Sequence, residues 1–316
     1  MWHVGDGRAI TVTRIDTGDD AALARAVDAI RAVDPDAARG AVDVRAAAAR
    51  EPRHALMLAR GIGVALAELG TIESWDEPTR MWLSLWVAST DEAGTLTSAL
   101  WDAVAAHARR HGVDGLRAGV RDDRASALRV LTERGMREVE RSQSVVRRMD
   151  TRPQAPAAPP GIALVTLAQR PGLLEDILAI DDEAIPDIPG DSADPPGAGF
   201  WRDKLAAGEF VPATVVAALE NGAAVSYAVL RHYAGRPDVA DHDFTGTLRA
   251  ARGRGLATLV KRAQLCAAWD AGVRELRAWN HLDNAPMRSV NAALGYERGP
   301  DIVSLLLERE PRPQRP

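Results

Sequence analysis

The 316-residue sequence contains one cysteine, and aromatic residues make up only 4% of it. The single cysteine, Cys266, excludes an internal disulfide framework and any metal site built from several cysteines. No apolar run is long enough to cross a bilayer, and the N-terminus lacks the pattern of a secretory signal. A formal charge of -5 excludes the basic surface that nonspecific nucleic-acid binding requires. We therefore expect a cytoplasmic protein with no metal site and no nucleic-acid or membrane partner. Its length is too great for one small domain.

The sequence does contain enough apolar side chains for two cores, since 46% of the residues are hydrophobic and 26% are charged. Residues 151–160 are rich in proline and alanine, a composition typical of a semi-rigid linker. We predict domains over residues 1–150 and 161–316, joined by this linker. Strand and helix patterns mix in both halves and predict an α/β fold, with a helix over Leu173–Ala184 and a hairpin across Asn221-Gly222.

The two halves repeat one another at a spacing of 160 residues. Gly112 in the first half corresponds to Gly272 in the second, at equivalent ends of predicted helices. Leu116-Arg117-Ala118 recurs as Leu276-Arg277-Ala278 at the same spacing, within predicted strands. One ungapped spacing that spans strands, helices and their glycine ends indicates two copies of one fold.

The most informative stretch is Arg252-Gly253-Arg254-Gly255-Leu256-Ala257, between a predicted strand over 243–248 and a predicted helix over 254–271. Glycines let the backbone amides converge there, and a helix N-terminus favours an anion. A dinucleotide-binding loop would need glycine where Thr258 stands and an acidic residue where Ala278 stands. A Walker loop is absent as well. A purely structural turn is the remaining alternative.

This turn resembles the pyrophosphate signature of the GNAT acetyltransferase superfamily, Q/R-x-x-G-x-G/A, and fits it at every position. Farther on, Asn284-Ala285-Pro286-Met287 resembles the superfamily's N-x-x-A with Met in place of Ala, and Gly295-Tyr296 resembles its Gly-aromatic pair. The resemblance covers about residues 161 to 310 and reaches the first half through the fold pattern and the repeat. It implies two tandem GNAT-like domains, each a twisted mixed sheet flanked by helices.

The resemblance also implies acetyl-CoA as the co-substrate, without a metal. Asn284 is expected to contact its pantetheine arm, and asparagine at that position also suits a helix N-cap. The residues implied to contact the coenzyme are Thr247, Leu248, Arg249, Arg252, Gly253, Arg254, Gly255, Leu256, Ala257, Asn280 and Asn284.

The implied reaction is direct attack of a primary amine on the thioester, which needs a base, an oxyanion donor and a proton for the thiolate. Asp241 and Asp243 fall on one face of the central strand by alternation and are candidate bases, with a solvated strand entry as the alternative. His242 is expected to face the other way unless a bulge intervenes. Asn291 stands where the superfamily often has tyrosine, and can donate a hydrogen bond to sulfur but not a proton.

The first half departs from the signature, because Glu92 stands where Arg252 stands in the repeat. We therefore expect the first domain to keep the fold and to have lost efficient coenzyme A binding.

An acidic segment without lysine or arginine includes the end of the first helix of the second half and the loop after it, which in the resembled fold lines the acceptor cleft. Its negative potential would attract a cationic amine. A solvated loop is the alternative. The segment contains Asp181, Asp182, Glu183, Asp187, Asp191 and Asp194. The sequence thus predicts an N-acetyltransferase acting on the primary amine of a small molecule. The alternatives are another acyl group, a peptide amine, or a non-catalytic acyl-CoA-binding or regulatory protein.

Overall fold

The computed structural model describes residues 2–3, 9–61, 63–70, 80–88, 91, 94–190 and 194–308. The chain divides into two compact units. Unit 1 comprises Met1–Ser142 together with Pro300–Pro316, and unit 2 comprises Gln143–Gly299.

Unit 1 is built on a mixed sheet. Its strands lie in the order β1-β2-β3-β4-β5-β6, and all neighbours are antiparallel except β5 and β6, which are parallel. The elements in chain order are β1 (Trp2–His3), β2 (Ala9–Ile15), α1 (Asp20–Val33), α2 (Ala41–Arg50), β3 (Ala55–Arg60), β4 (Val64–Gly70), β5 (Arg80–Val87), α3 (Thr95–Arg110), β6 (Gly115–Arg121) and α4 (Ala125–Glu133). The chain then continues into β7 (Arg137–Arg148).

Unit 2 repeats this plan, in the strand order β12-β11-β10-β9-β8 with β11 and β12 as the parallel pair. Its elements are β8 (Ile162–Thr166), α5 (Leu173–Ala184), α6 (Ala198–Ala206), β9 (Val216–Glu220), β10 (Ala223–His232), β11 (Val239–Thr247), α7 (Leu256–Asp270), β12 (Glu275–His281) and α8 (Ala285–Ala293), followed by β13 (Glu297–Glu308). The predicted α/β class, with mixed sheets flanked by helices, is confirmed.

Each unit takes its final strand from the other half of the sequence. Residues 302–308 of β13 pair antiparallel with 115–121 of β6, and Val303 and Leu305 are buried in the core of unit 1. Conversely, β7 lies beside β12, and its Val145 is buried in a core cluster of unit 2. These units differ from the boundaries expected at residues 150 and 161, because those boundaries follow the sequence repeat whereas the pairing of the last strands crosses it.

The hairpin between β9 and β10 shows how directly local sequence acts. Asn221 and Gly222 both have left-handed φ angles, 51° and 86°. Two such residues in succession form the tight turn whose twist matches that of the flanking antiparallel strands, and Asn-Gly is the pair that adopts it most easily. The predicted hairpin is therefore confirmed, and it places β10 beside β11, which forms one wall of the site described next.

Candidate functional site

A cleft opens in unit 2 where β11 and β12 stop pairing. The two strands pair only over residues 239–241 and 275–277, so residues 242–247 of β11 run on beyond the pairing. The cleft has a volume of about 640 Å³ and is lined by both strands, the turn before α7 and the start of α8. This volume is in the range of small-molecule binding sites.

A glycine turn forms one end of the cleft. Gly253 and Gly255 have left-handed φ angles of 74° and 76°, and a Cβ added to either would meet no atom within 4 Å. The first α-helical hydrogen bond of α7 runs from Leu259 N to Gly255 O at 3.0 Å, so the amides before it have no intrahelical acceptor. The turn therefore presents backbone donors and a helix N-terminus to an anion in the cleft.

Arg252 lines the cleft beside this turn and is held by a carboxylate. Its guanidinium donates to Asp187 Oδ2 at 2.7 Å and to Thr247 O at 3.1 Å. Asp187 also accepts hydrogen bonds of 2.8 and 2.9 Å from Arg249. These two guanidinium groups lower the pKa of Asp187 to about 2, so it is ionised at neutral pH. An anion that binds Arg252 would therefore compete with the Asp187 carboxylate.

Replacing Asp187 by asparagine is expected to tighten acetyl-CoA binding about two- to five-fold, because a phosphate would no longer have to displace the Asp187 carboxylate from its exposed ion pair with Arg252. Titration calorimetry at low salt measures the change, which should shrink as ionic strength rises. Glu220→Gln frees an arginine outside the cleft lining and is the matched control, with affinity unchanged. Weaker binding by Asp187→Asn would show that Asp187 organises Arg252 rather than competing for it.

Three of the predicted coenzyme contacts lie outside the cleft lining. The amide of Leu248 donates to a carbonyl of β10 at 3.0 Å, and the amide of Arg249 donates to the carboxylate of Glu183. Arg254 donates hydrogen bonds of 2.7 and 3.0 Å to Glu220. The predicted contacts that do line the cleft are Thr247, Arg252, Gly253, Gly255, Leu256, Ala257, Asn280 and Asn284.

A β-bulge in β11 decides which side chains reach the other end of the cleft. Val229 pairs with Phe244 and Leu230 pairs with His242, so Asp243 has no opposite residue on β10. The extra residue interrupts the alternation of faces. As a result, four consecutive residues, His242, Asp243, Phe244 and Thr245, line the cleft. The prediction from strict alternation, that His242 faces away, is corrected by the bulge.

The two candidate bases lie in different surroundings. Asp243 lines the cleft and forms an ion pair of 2.8 Å with Arg231. Asp241 is outside the lining and 8% exposed, and the hydroxyl of Tyr233 donates a hydrogen bond to its carboxylate. Burial raises the pKa of Asp241 to about 6. The structure thus brings only Asp243 to the cleft.

The asparagines predicted near the cleft divide in the same way. Asn284 caps α8, since its Oδ1 accepts a hydrogen bond from Met287 N at 3.2 Å, and it also lines the cleft. Asn291 is fully buried, and its Nδ2 donates to Oδ1 of Asn280. Because its amide donor is engaged and it lies outside the lining, Asn291 acts here on the orientation of Asn280.

A buried polar group at the bulged end was missed by sequence reasoning. The ring of His242 is hydrogen-bonded through Nε2 to the hydroxyl of Tyr296, and Lys261 Nζ lies 5.6 Å from the centroid of the Tyr296 ring. Burial lowers the pKa of Lys261 to about 7. Burial, together with nearby Lys261, lowers the pKa of His242 well below its ordinary value. The available signal was a lysine directly after the mostly apolar run from Leu256 to Val260.

The corresponding turn of unit 1 is filled by a carboxylate of its own. Asp91 is 1% exposed, and its oxygens accept hydrogen bonds from Leu96 N at 3.1 Å, Thr97 N at 3.0 Å and Thr97 Oγ1 at 2.9 Å. Gly94, with a φ of 69°, precedes α3 as a glycine precedes α7. The first-turn amides of α3 are therefore satisfied from within unit 1. Glu92, on which the expectation for the first half depended, lies outside the described residues.

The acidic segment of unit 2 is largely engaged by the protein itself. Asp187 is bound by arginines and Glu183 by a backbone amide. Asp181 is 1% exposed and accepts hydrogen bonds from Trp201 Nε1 at 3.0 Å and from a tyrosine hydroxyl. Asp191 lies outside the described residues. These contacts therefore reduce the negative electrostatic potential that six free carboxylates would produce.

Asp181 gives a prediction about stability. Burial raises its pKa to about 7, above an unfolded value of about 3.9. The folded state therefore holds this proton more tightly, and the free energy of unfolding should fall by up to about 1.4 kcal/mol per pH unit between about pH 4 and 7. Asp181→Asn keeps an oxygen acceptor for Trp201 and should remove that slope. Urea unfolding of both proteins across this range tests it, and identical slopes would contradict it.

Among the residues that the structure describes, no group of three His, Cys, Asp or Glu side chains is placed to hold a metal ion. Over the same part of the chain, none of the helices combines the length and apolar character needed to cross a membrane.

Neither a family model nor a curated protein sequence matches the chain. Several solved structures do. A GCN5-related N-acetyltransferase from Sphaerobacter thermophilus matches with a TM-score of 0.70 and 20% identity, over 96% of this chain and 96% of that one. A tandem GNAT protein from the clavulanic acid biosynthesis pathway matches with a TM-score of 0.70 and 21% identity, over 96% of this chain and 100% of that one.

A GCN5-related glucosamine N-acetyltransferase region of a fungal multi-domain β-N-acetylglucosaminidase has a TM-score of 0.66 at 14% identity. That match covers 95% of this chain and 38% of the fungal one. Likeness at these identities establishes the fold, and the repeat in the sequence corresponds to the two units of the structure. The chain therefore has the fold of the GCN5-related N-acetyltransferases, in the two-copy form of a tandem GNAT protein.

Proposed function

We propose that the protein is an N-acetyltransferase whose unit 2 binds acetyl-CoA and transfers the acetyl group to the primary amine of a small molecule. One observation carries this proposal: the unit 2 cleft extends from a glycine turn, whose helix N-terminal amides have no intrahelical acceptor, to the bulge in β11. The distance between these two ends is about the length of the pantetheine arm of coenzyme A. The fold shared with GCN5-related N-acetyltransferases supports it.

In this proposal the amides near Gly253 and Gly255 hold the pyrophosphate, and Arg252 exchanges Asp187 for a phosphate oxygen. The arm then lies along β11 and past Asn284, which lines the cleft on the opposite side. This arrangement brings the thioester to the bulge. The coenzyme is thus bound at one end and positioned for reaction at the other.

The reaction needs three things from the bulged end. A backbone amide at the bulge, where Asp243 lacks a strand partner, meets the oxygen of the tetrahedral intermediate. The Asp243 carboxylate lines the cleft and accepts the proton that the attacking amine releases. The thiolate leaves as coenzyme A. Unit 1 serves as scaffold, because Asp91 already satisfies the helix N-terminus that would otherwise bind an anion.

The test is acetyl-CoA-dependent thiol release across a panel of primary amines, with acetyl-CoA binding measured separately by calorimetry. We expect one saturable, sub-micromolar-to-millimolar binding event and acetylated product, identified by mass, with at least one class of amine. Absence of acetyl-CoA binding would refute the proposal as a whole. Transfer to a hydroxyl or a peptide N-terminus instead of a small amine would refute its acceptor class only.

A second candidate function is non-catalytic acyl-CoA binding. It is favoured by Asn291, which stands where the superfamily often has its proton-donating tyrosine and is buried against Asn280. Under this alternative, acetyl-CoA binds to unit 2 with the same dependence on Arg252, but no amine in the panel is acetylated. The same experiment therefore separates the two functions.

A further inference from the structure

Lysine is almost absent from this protein. Two of its 39 basic residues are lysines, Lys204 and Lys261, and arginine supplies the rest. Both lysines are buried, with 3% and 1% of their surface exposed. Lys204 has an obvious partner, since its Nζ lies 2.6 Å from the carboxylate of Glu209. Lys261 therefore stands out as the buried lysine without a carboxylate partner among the described residues.

Lys261 lies in the wall of the unit 2 cleft, on α7. Two titratable side chains face it from other elements: His242 from β11 and Tyr296 from the segment before β13. Both are neutral at physiological pH, because burial lowers the pKa of His242 and raises that of Tyr296. Neither of these two neighbours therefore supplies a counter-charge to the Lys261 amine in the cleft wall.

The choice of lysine at this position has a chemical meaning. An arginine keeps its proton at every physiological pH, whereas a buried lysine can exchange one. Burial lowers the pKa of Lys261 to about 7, which is near the pH at which a proton donor is most effective. In a chain that uses arginine almost everywhere else, an exchangeable amine is found at the cleft.

The position of Lys261 along the cleft identifies what it would contact. The pyrophosphate end is the glycine turn, and five residues of extended strand separate Thr247 from His242, roughly 16 Å. Lys261 belongs to the far end, because its Nζ lies 5.6 Å from the Tyr296 ring, whose hydroxyl is bonded to His242. A coenzyme anchored at the turn would bring its sulfur, not its phosphates, to this end.

We propose that Lys261 is the acid that gives a proton to the sulfur of coenzyme A as the thioester is cleaved, an inference that rests on the proposed function. It fills the role that the superfamily's frequent tyrosine would have, since Asn291 lies outside the lining. Its ammonium form, on a side chain that is 1% exposed, also attracts the negative charge that develops on sulfur.

The proton transfer accompanies cleavage of the C–S bond. The tetrahedral intermediate collapses, the C–S bond breaks, and its electron pair goes to sulfur. One N–H proton of the Lys261 ammonium passes to that sulfur, which gives coenzyme A as the free thiol and leaves Lys261 as a neutral amine. The attacking amine loses one proton to Asp243, which releases it to solvent, and Lys261 regains a proton from solvent before the next turnover. No oxidant, reductant or metal takes part.

The first test needs no acceptor. Coenzyme A is bound to the wild-type protein, and the ultraviolet absorbance of its thiolate is followed against pH. We expect the thiol pKa in the complex to lie about one unit or more below its value in free coenzyme A, because a thiolate beside Lys261 keeps the amine protonated and the resulting ammonium stabilises the thiolate. Lys261→Met should abolish this shift while coenzyme A still binds, and Lys204→Met should preserve it. Thermal unfolding shows whether each variant is folded.

A second measurement uses the wild-type protein alone. Acetic anhydride labels its amines, and with two lysines in the chain, peptide mass spectrometry reports on Lys261 directly. We expect coenzyme A to protect Lys261 several-fold and to leave Lys204 unchanged. A thiol whose pKa is unshifted, or labelling of Lys261 that coenzyme A does not alter, would overturn the assignment and leave the proposed function standing. Failure of wild-type protein to bind coenzyme A would overturn both.

Discussion

Replacing Arg252 by glutamate is expected to weaken acetyl-CoA binding by at least about 100-fold. In the proposed complex, the change removes a charge-assisted hydrogen bond to phosphate, worth about 1.5–3 kcal/mol, and places a carboxylate beside the pyrophosphate. It also sets two carboxylates side by side, because Asp187 now binds the Arg252 guanidinium. Since about 1.4 kcal/mol corresponds to tenfold in affinity, the combined loss reaches two orders of magnitude. Titration calorimetry measures the affinity of both proteins directly.

Arg254→Glu is the matched control, because it changes the net charge equally, two residues away. The Arg254 side chain is bound to Glu220 and lies outside the cleft lining, so we expect a loss of less than about fivefold. Thermal unfolding gives an independent check. Wild-type protein at a hundredfold excess of acetyl-CoA over Kd should gain about 2.7 kcal/mol, and Arg252→Glu should gain almost nothing at that concentration. Equal losses of affinity in the two variants would show that the weaker binding comes from the change in net charge and not from the position of Arg252.

The second large effect is expected in unit 1, where Asp91→Ala should lower the stability of that unit by about 2–4 kcal/mol. The buried carboxylate accepts three hydrogen bonds at the start of α3, and its loss leaves two amides and a hydroxyl without that acceptor. Helix caps contribute about 0.5–2 kcal/mol, and hydrogen bonds to buried charges contribute more. Hydrogen exchange at Leu96 N and Thr97 N measures the opening of this turn.

Asp19→Ala provides the comparison, because Asp19 caps α1 through two amides but is exposed, so its loss should cost about 1 kcal/mol. Asp91→Asn, which keeps one acceptor oxygen, should lose less stability than Asp91→Ala. Acetyl-CoA affinity should stay unchanged in all three variants, since the cleft lies in unit 2. An increase in bound acetyl-CoA to two molecules per chain would show that Asp91 is what keeps unit 1 from binding.

The parts of the fold that depend on neighbouring residues were predicted well from sequence. The helix Leu173–Ala184 was predicted to the residue, and the Asn221-Gly222 turn follows from backbone preferences at two positions. The glycine turn before α7 is local in the same sense, because left-handed φ angles at Gly253 and Gly255 need only the absence of a side chain.

Features that depend on tertiary contacts were not predicted. Alternation placed His242 away from the cleft, and only the pairing with β10 reveals the bulge at Asp243 that brings it in. Asp187 was expected to be one of several carboxylates whose combined charge attracts a cationic amine, but the fold places it between two arginines. Lys261 follows a mostly apolar run, but its burial and its neutral neighbours depend on other elements and cannot be read from that run.

The exchange of final strands has a consequence for biosynthesis. Unit 1 needs residues 302–308 of β13 beside β6, and until that strand is made, β6 presents an unpaired edge. A ribosome adding about 5–20 residues per second makes the roughly 180 residues between β6 and residue 302 in roughly 9 to 36 seconds. Unit 2 is thus translated to its last residue before the final strand of unit 1 has been synthesised. On the ribosome, synthesis of unit 1 begins first, but synthesis of unit 2 is completed first.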